Sequence, residues 1–174
     1  MSADGFTRAG LSRVDRMSQP ALAAVSAAGI PHRVLRHGAV SSLAEAARSR
    51  GVEVRDVVKT IVVRRAEDEF VFVLVPGDRV ISWPKLRSLL GVNRLSMPAA
   101  ATAKEVTGYE RGTITPFGST RPWPVIADVR LRGRTISLGA GERGVAVEVA
   151  ADAAASALAA TFADVTDPEP NRPN

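Results

Sequence analysis

Residues 108–118, GYERGTITPFG, break this 174-residue chain with a segment suited to neither helix nor strand. Gly108, Gly112, Pro116 and Gly118 punctuate small and β-branched residues there. Glycine accepts a positive φ and lets another group come close to the backbone. Proline fixes its own φ and biases the preceding residue towards extended conformations. The segment is therefore a shaped loop, and the fold must be built around it. Such loops expose backbone N–H groups that can hold an anion or a polarised carbonyl. The same composition also serves plain turns, so an ordinary Gly/Pro connector is the alternative reading.

Apolar periodicity outlines the elements on either side. Residues 21–28 read as a helix with Ser18 as N-cap, Pro20 in the first turn and Gly29 as the stop. Residues 31–37 read as a strand. Residues 42–49 read as a helix with a serine start, Leu43, Ala46 and Ala47 on one face, and Gly51 after the end. Residues 57–64 and 70–75 are valine-rich strands, and the polar stretch between them predicts a hairpin. Pro76, Gly77 and Asp78 form a turn. Pro84 opens a helix to Leu90, residues 92–95 read as a short strand, and a helix over 99–106 ends at Gly108. After the shaped loop come strands at 125–129, 135–138 and 145–149, then an alanine-rich helix over 151–162. Strands and helices mix without βαβ alternation. The expectation is an α+β fold: a mixed, mainly antiparallel sheet or open barrel flanked by helices. One domain is expected over residues 18–165, with a flexible leader at 1–17 and a flexible tail at 166–174.

The chain has no cysteine, which excludes disulfides, thiolate metal sites and a cysteine nucleophile. No apolar run approaches the length of a membrane span, and the N-terminal residues lack the apolar core of a secretory signal. A cytoplasmic protein without a membrane partner is expected. Net charge is +5. Residues 1–65 carry 11 basic and 5 acidic side chains, residues 66–144 carry 11 and 8, and residues 145–174 carry 1 and 5. The basic excess thus accompanies the shaped loop and what precedes it. It suits a polyanionic partner, unless it is only an arginine-rich composition.

Three further features bear on chemistry. Lys59 stands alone in the apolar run VVKTIVV, residues 57–63. There an ammonium needs acceptors or an anion, or else it snorkels to solvent. Residues 139–144, GAGERG, match the dinucleotide pattern G-x-G-x-x-G letter for letter. That pattern requires a helix next, whereas the β-branched run at 145–149 is a strand. A tight hairpin presenting amides and Arg143 is the reading that survives. His32 and His37, the only histidines, have neither a nucleophile-elbow serine nor a carboxylate pair beside them, and read as structural or surface residues. No metal and no nucleotide cofactor are expected. Asp128 ends the apolar run PVIAD, where it either caps the strand or serves a site.

VVKTIVV, GYERGTITPFG and GAGERG, in this order, resemble the signature of the YbaK/prolyl-tRNA synthetase insertion-domain family, with the likeness running over residues 30–162. The resemblance implies an aminoacyl-tRNA deacylase that clears mischarged tRNA, with Cys- or Ala-tRNA(Pro) as the expected substrate. It implies aminoacyl-tRNA as partner and prolyl-tRNA synthetase as a further one; the sequence leaves the oligomeric state open, with a monomer or weak dimer expected. Lys59 falls on the family's site lysine and, with Thr60, would hold the tRNA 3′ end. Gly112, Thr113, Ile114, Thr115 and Pro116 match its G-x-x-x-P element and would stabilise charge on the reacting carbonyl. Gly118, Asp128, Gly139, Gly141, Arg143 and Gly144 are the remaining substrate-binding candidates. Two departures bear on the pocket wall: Arg36 replaces an aromatic common before His37, and Gly139 replaces a small or hydroxyl-bearing residue. The competing functions are a non-catalytic tRNA-binding or synthetase-interacting module, and a small-molecule domain for a carboxylate or phosphate.

Overall fold

Two valine-rich runs meet in a long antiparallel hairpin, β2 (Val58–Ala66) and β3 (Glu69–Pro76), with Lys59 opposite Val75. The computed structural model describes residues 19–38, 40 and 42–170. The expected leader at 1–17 and the Ser18 cap lie outside the described residues. Alternate side chains of β3 enter two cores: Phe70, Phe72 and Leu74 join one cluster, and Val71, Val73 and Val75 join the other. A strand covered on both faces explains why its sequence is continuously apolar. On its far side β3 pairs in parallel with β5 (Val125–Asp128), which pairs in parallel with β8 (Thr161–Ala163).

A second sheet has the order β1 (His32–Arg36), β7 (Val145–Ala150), β6 (Thr135–Gly139), all antiparallel. A parallel bridge between Val57 and Ser137 ties its edge to the start of β2. A two-stranded ribbon joins β4 (Arg79–Ile81) to β9 (Thr166–Pro168). Among the described residues five helices flank the strands: α1 (Pro20–Ala27), α2 (Leu43–Arg50), α3 (Trp83–Leu90), α4 (Ala100–Thr107) and α5 (Ala151–Ala157). The architecture is α+β with mostly antiparallel pairing, as expected, and the described strands form no closed barrel. No described helix is long and apolar enough to cross a membrane.

Local signals account for the helix ends. Ser42 caps α2 by accepting the Glu45 N–H at 3.1 Å, and Ser82 caps α3 by accepting the Lys85 N–H at 3.4 Å. Three expectations differ from the structure. The helix expected over 151–162 stops at Ala157, because Ala159 turns the chain at φ +51 and Phe162 enters β8. Residues 92–95 form no strand; the neighbouring Ser96 makes an isolated bridge to Arg64 instead. The segment expected as a tail from residue 166 opens with β9, where Thr166 is fully buried.

Candidate active site

The bridge from Val57 to Ser137 brings the start of β2 alongside β6, so Lys59 and Thr60 share one cavity with Gly139. The shaped loop closes another wall with Gly112 and Ile114. Helix α2 and its approach supply Ser42, Leu43, Ala46 and Arg50. Its volume is about 430 Å³, within the size range of small-ligand sites, and it opens to solvent. Three sequence segments singled out separately therefore converge. Among the described residues no aspartate, glutamate or histidine lines this cavity.

The loop is held rigidly from within. The Thr113 hydroxyl donates to the Glu110 carbonyl at 2.7 Å, and the Thr115 hydroxyl accepts the Phe117 N–H at 3.3 Å. The Gly141 N–H donates to the Thr113 carbonyl at 2.9 Å, which links the two glycine loops. Tyr109 packs between them and donates to the Phe117 carbonyl at 2.7 Å. Burial pushes its phenol up to about 12, so it remains a neutral donor. A Cβ on Gly141 would lie 2.4 Å from the Tyr109 ring, so glycine is required by close approach there. Tyr109→Phe is expected to cost ~1–3 kcal/mol of stability, measured by urea unfolding, because it strands a buried carbonyl. An unchanged midpoint would mean the loop does not depend on this bond.

Backbone amides remain in this scaffold. The N–H groups of Ile114 and Thr115 have no acceptor among the described residues, although Ile114 is 9% and Thr115 only 1% exposed. Unpaired N–H groups on buried residues are rare, and they suit an oxygen that carries developing charge. Gly112, at φ +91, has open space where a Cβ would stand.

Two cations border the cavity. Lys59 is half-buried, and its ammonium donates to the Arg79 carbonyl of β4. Arg50 donates from Nε to His37 Nε2 at 3.4 Å and from Nη1 to Ser137 Oγ at 3.1 Å. Among the described residues no carboxylate pairs with Arg50. Burial lowers its guanidinium pKa below the ordinary value, from a starting point so high that it stays charged. The Thr60 hydroxyl is buried without a hydrogen-bond partner among the described residues. Sequence reasoning missed Arg50. It stands four residues after Ala46, so it continues the inward stripe of α2, which was the available signal.

Other candidates lie elsewhere. Gly118 packs against the Pro20 carbonyl of α1, and Gly144 packs against the His37 carbonyl. Arg143 is exposed and outside the cavity lining. Asp128 is fully buried but engaged within the fold. It accepts from the backbone N–H groups of Arg130 (3.1 Å) and Val165 (3.2 Å), from the Arg130 side chain, and from the Thr166 hydroxyl (2.8 Å). Its geometry is that of the strand-end cap. His32 and His37 turn Nδ1 to the carbonyls of Ile30 and Gly38. No described group of three or more acidic or histidine residues could hold a metal.

Comparison with known proteins bears on the same residues. The aminoacyl-tRNA editing domain matches residues 37–156, which include every wall of the cavity. The proposed Cys-tRNA(Pro)/Cys-tRNA(Cys) deacylase EbsC of Enterococcus faecalis is 29% identical over 134 residues, covering 76% of this chain and 80% of that protein. The proline–tRNA ligase of Caldicellulosiruptor saccharolyticus is 35% identical over 79 residues, which are 45% of this chain but 14% of the ligase. Among solved structures, the hypothetical protein APE2540 is 26% identical with a TM-score of 0.75, covering 82% of this chain and 96% of that one. A candidate trans-editing enzyme for prolyl-tRNA synthetase superposes with a TM-score of 0.77 over 83% of this chain and 93% of that one; at 24% identity this is a likeness of fold. With more than half its length matched, the chain belongs to the aminoacyl-tRNA editing domain family.

Proposed function

We propose that this protein hydrolyses the ester between a wrong amino acid and its tRNA, acting as a freestanding enzyme on Cys- or Ala-tRNA(Pro). One observation carries the reading: Lys59, Thr60, Gly112, Ile114 and Gly139 converge on a single cavity whose described lining has no carboxylate and no imidazole. An aminoacyl ester is already activated. Its hydrolysis needs orientation, stabilisation of the oxyanion, and a water or substrate hydroxyl as nucleophile. The amides of Ile114 and Thr115 suit the oxyanion, where each donor contributes ~3 kcal/mol to lowering the barrier. Lys59 and Arg50 suit the terminal phosphate, Lys59 as a compact charge and Arg50 as a planar fork. The Thr60 hydroxyl, buried and without a partner among the described residues, suits the ribose. With no carboxylate or imidazole in the described lining, the proton is taken by water or by the substrate's own ribose.

The test is hydrolysis of Ala-, Cys-, Ser- and Pro-tRNA by the purified protein. Ala- or Cys-tRNA(Pro) should be cleared at least ~100-fold faster than in buffer, as positioned catalysis allows, while Pro-tRNA(Pro) is spared. Equal decay of all four with and without protein would end the deacylase reading.

A further inference from the structure

A second cleft, of about 740 Å³, opens at the other end of β2 and shares no residue with the cavity above. One wall is the hairpin tip, with Arg64, Arg65 and Glu67; the other holds Arg87 of α3 and Arg94 of the following loop. Four guanidiniums thus face one carboxylate. Among the described residues none of the four arginines forms an ion pair, whereas Arg33, Arg55, Arg130 and Arg134 each do. The cleft is held open by backbone bonds. Arg64 donates to the Ser96 carbonyl at 2.7 Å and Ser96 donates back at 3.2 Å, pinning the loop of Arg94 to the hairpin. The Arg64 guanidinium lies over the Phe70 ring at 5.8 Å, which orients it.

We infer that this cleft binds the phosphate backbone of a paired RNA stem, the acceptor stem of the tRNA whose 3′ end enters the catalytic cavity. The partner rests on the deacylase reading; the chemistry rests on the cleft itself. Planar guanidiniums match phosphate oxygens in pairs. No described aromatic residue lines the cleft, so it shows no platform for unstacked bases and suits a backbone whose bases stay paired. Distance agrees as well. Lys59 and Arg64 are five residues apart on one strand, about 17 Å at the rise of an antiparallel strand, with their side chains on opposite faces of it. A single-stranded 3′ end that spans this distance passes around β2, whose Val62 and Val63 are buried, to bring the first base pairs of the stem to the arginines.

The experiment compares the wild type with Arg65→Glu/Arg94→Glu and with the charge-matched control Arg33→Glu/Arg132→Glu, whose exposed residues lie outside the cleft. Binding of uncharged tRNA(Pro) transcript and of a single-stranded oligonucleotide with its 3′-terminal sequence is measured across a salt series. Turnover of mischarged tRNA is measured separately. The cleft variant should bind the transcript at least ~10-fold more weakly, and its salt dependence should be shallower by about 1 to 2 in log–log slope, since each lost phosphate contact removes roughly 0.9. Binding of the single-stranded oligonucleotide and kcat at saturation should stay within about twofold, with KM raised. Unchanged transcript binding, or equal weakening in the control, overturns the proposal. Weakened oligonucleotide binding equal to that of the transcript would also overturn it, because the cleft would then grip single strands. Transcript binding needs no turnover, so a wild type that binds through the cleft without hydrolysing any ester would remove the deacylase reading and leave the cleft standing.

Discussion

Gly112→Val is expected to lower kcat for ester hydrolysis by ~100- to 1000-fold, the loss seen when oxyanion donors are misplaced. Binding of uncharged tRNA should stay within about threefold, because the loop meets the reacting carbonyl and not the RNA body. The reason lies in two properties of the position. Gly112 holds φ +91, which a β-branched residue resists. Its missing Cβ faces open space at the cavity, so valine would strain the backbone and fill room the ester needs without clashing with the protein. Gly112→Ala should be intermediate. Thr113→Ala and Thr115→Ala should be milder in kcat, since both hydroxyls are spent inside the loop, each stabilising it by about 1 kcal/mol. Thermal unfolding of each variant separates a broken loop from a broken fold. Full kcat in Gly112→Val, or abolition of activity by Thr113→Ala alone, would defeat a backbone oxyanion site and point to a hydroxyl in its place.

Lys59→Ala carries the second large effect: a fall of at least ~100-fold in kcat/KM, about 2.7 kcal/mol of transition-state stabilisation. The charge sits at the cavity wall on a strand whose neighbours are valines and isoleucine. Its contact with the Arg79 carbonyl restrains the side chain from behind. Arg79 is itself held by Thr166, to which its Nε donates at 2.7 Å, and the Thr166 hydroxyl donates to Asp128 at 2.8 Å. Asp128 thus bears on Lys59 through two intermediaries, so removing the lysine tests charge and clasp together. Lys59→Gln divides them, because its amide keeps a donor for the Arg79 carbonyl and loses the charge. If Lys59→Gln retained turnover within about threefold of wild type, the lysine would be a structural clasp and phosphate binding would fall to Arg50.

The hairpin and the four capped or glycine-stopped helices were legible because their signals are local. Valine alternation, a polar turn, a serine before and a glycine after need no tertiary context. Ala151 to Phe162 misled for the opposite reason. Alanine favours helix wherever it stands, and nothing nearby announces that residues 161–163 pair with β5, more than thirty positions earlier. β4 and β9 are three residues each and exist through one another. In the site, Lys59 and the glycine loops stood out because each breaks a local rule. Arg50 broke none, since a basic residue in the last turn of a helix is ordinary. Only the arrival of β6 and His37 makes it a cavity residue. Asp128 stood out as an acid at a strand end, and its partners, Val165 and Thr166, come from a segment with no strong pattern of its own.

The parallel pairing of β3 with β5 has a consequence for synthesis. The hairpin is complete when residue 76 leaves the ribosome, but β3 meets its other neighbour only after residue 128. At ~5–20 residues per second, those 52 residues (128 minus 76) take roughly 3–10 s. During that interval an apolar strand edge of up to eight residues waits without its partner. Such edges recruit other chains. The nascent protein should therefore depend on holdase chaperones during this window, and refolding yields should fall as protein concentration rises.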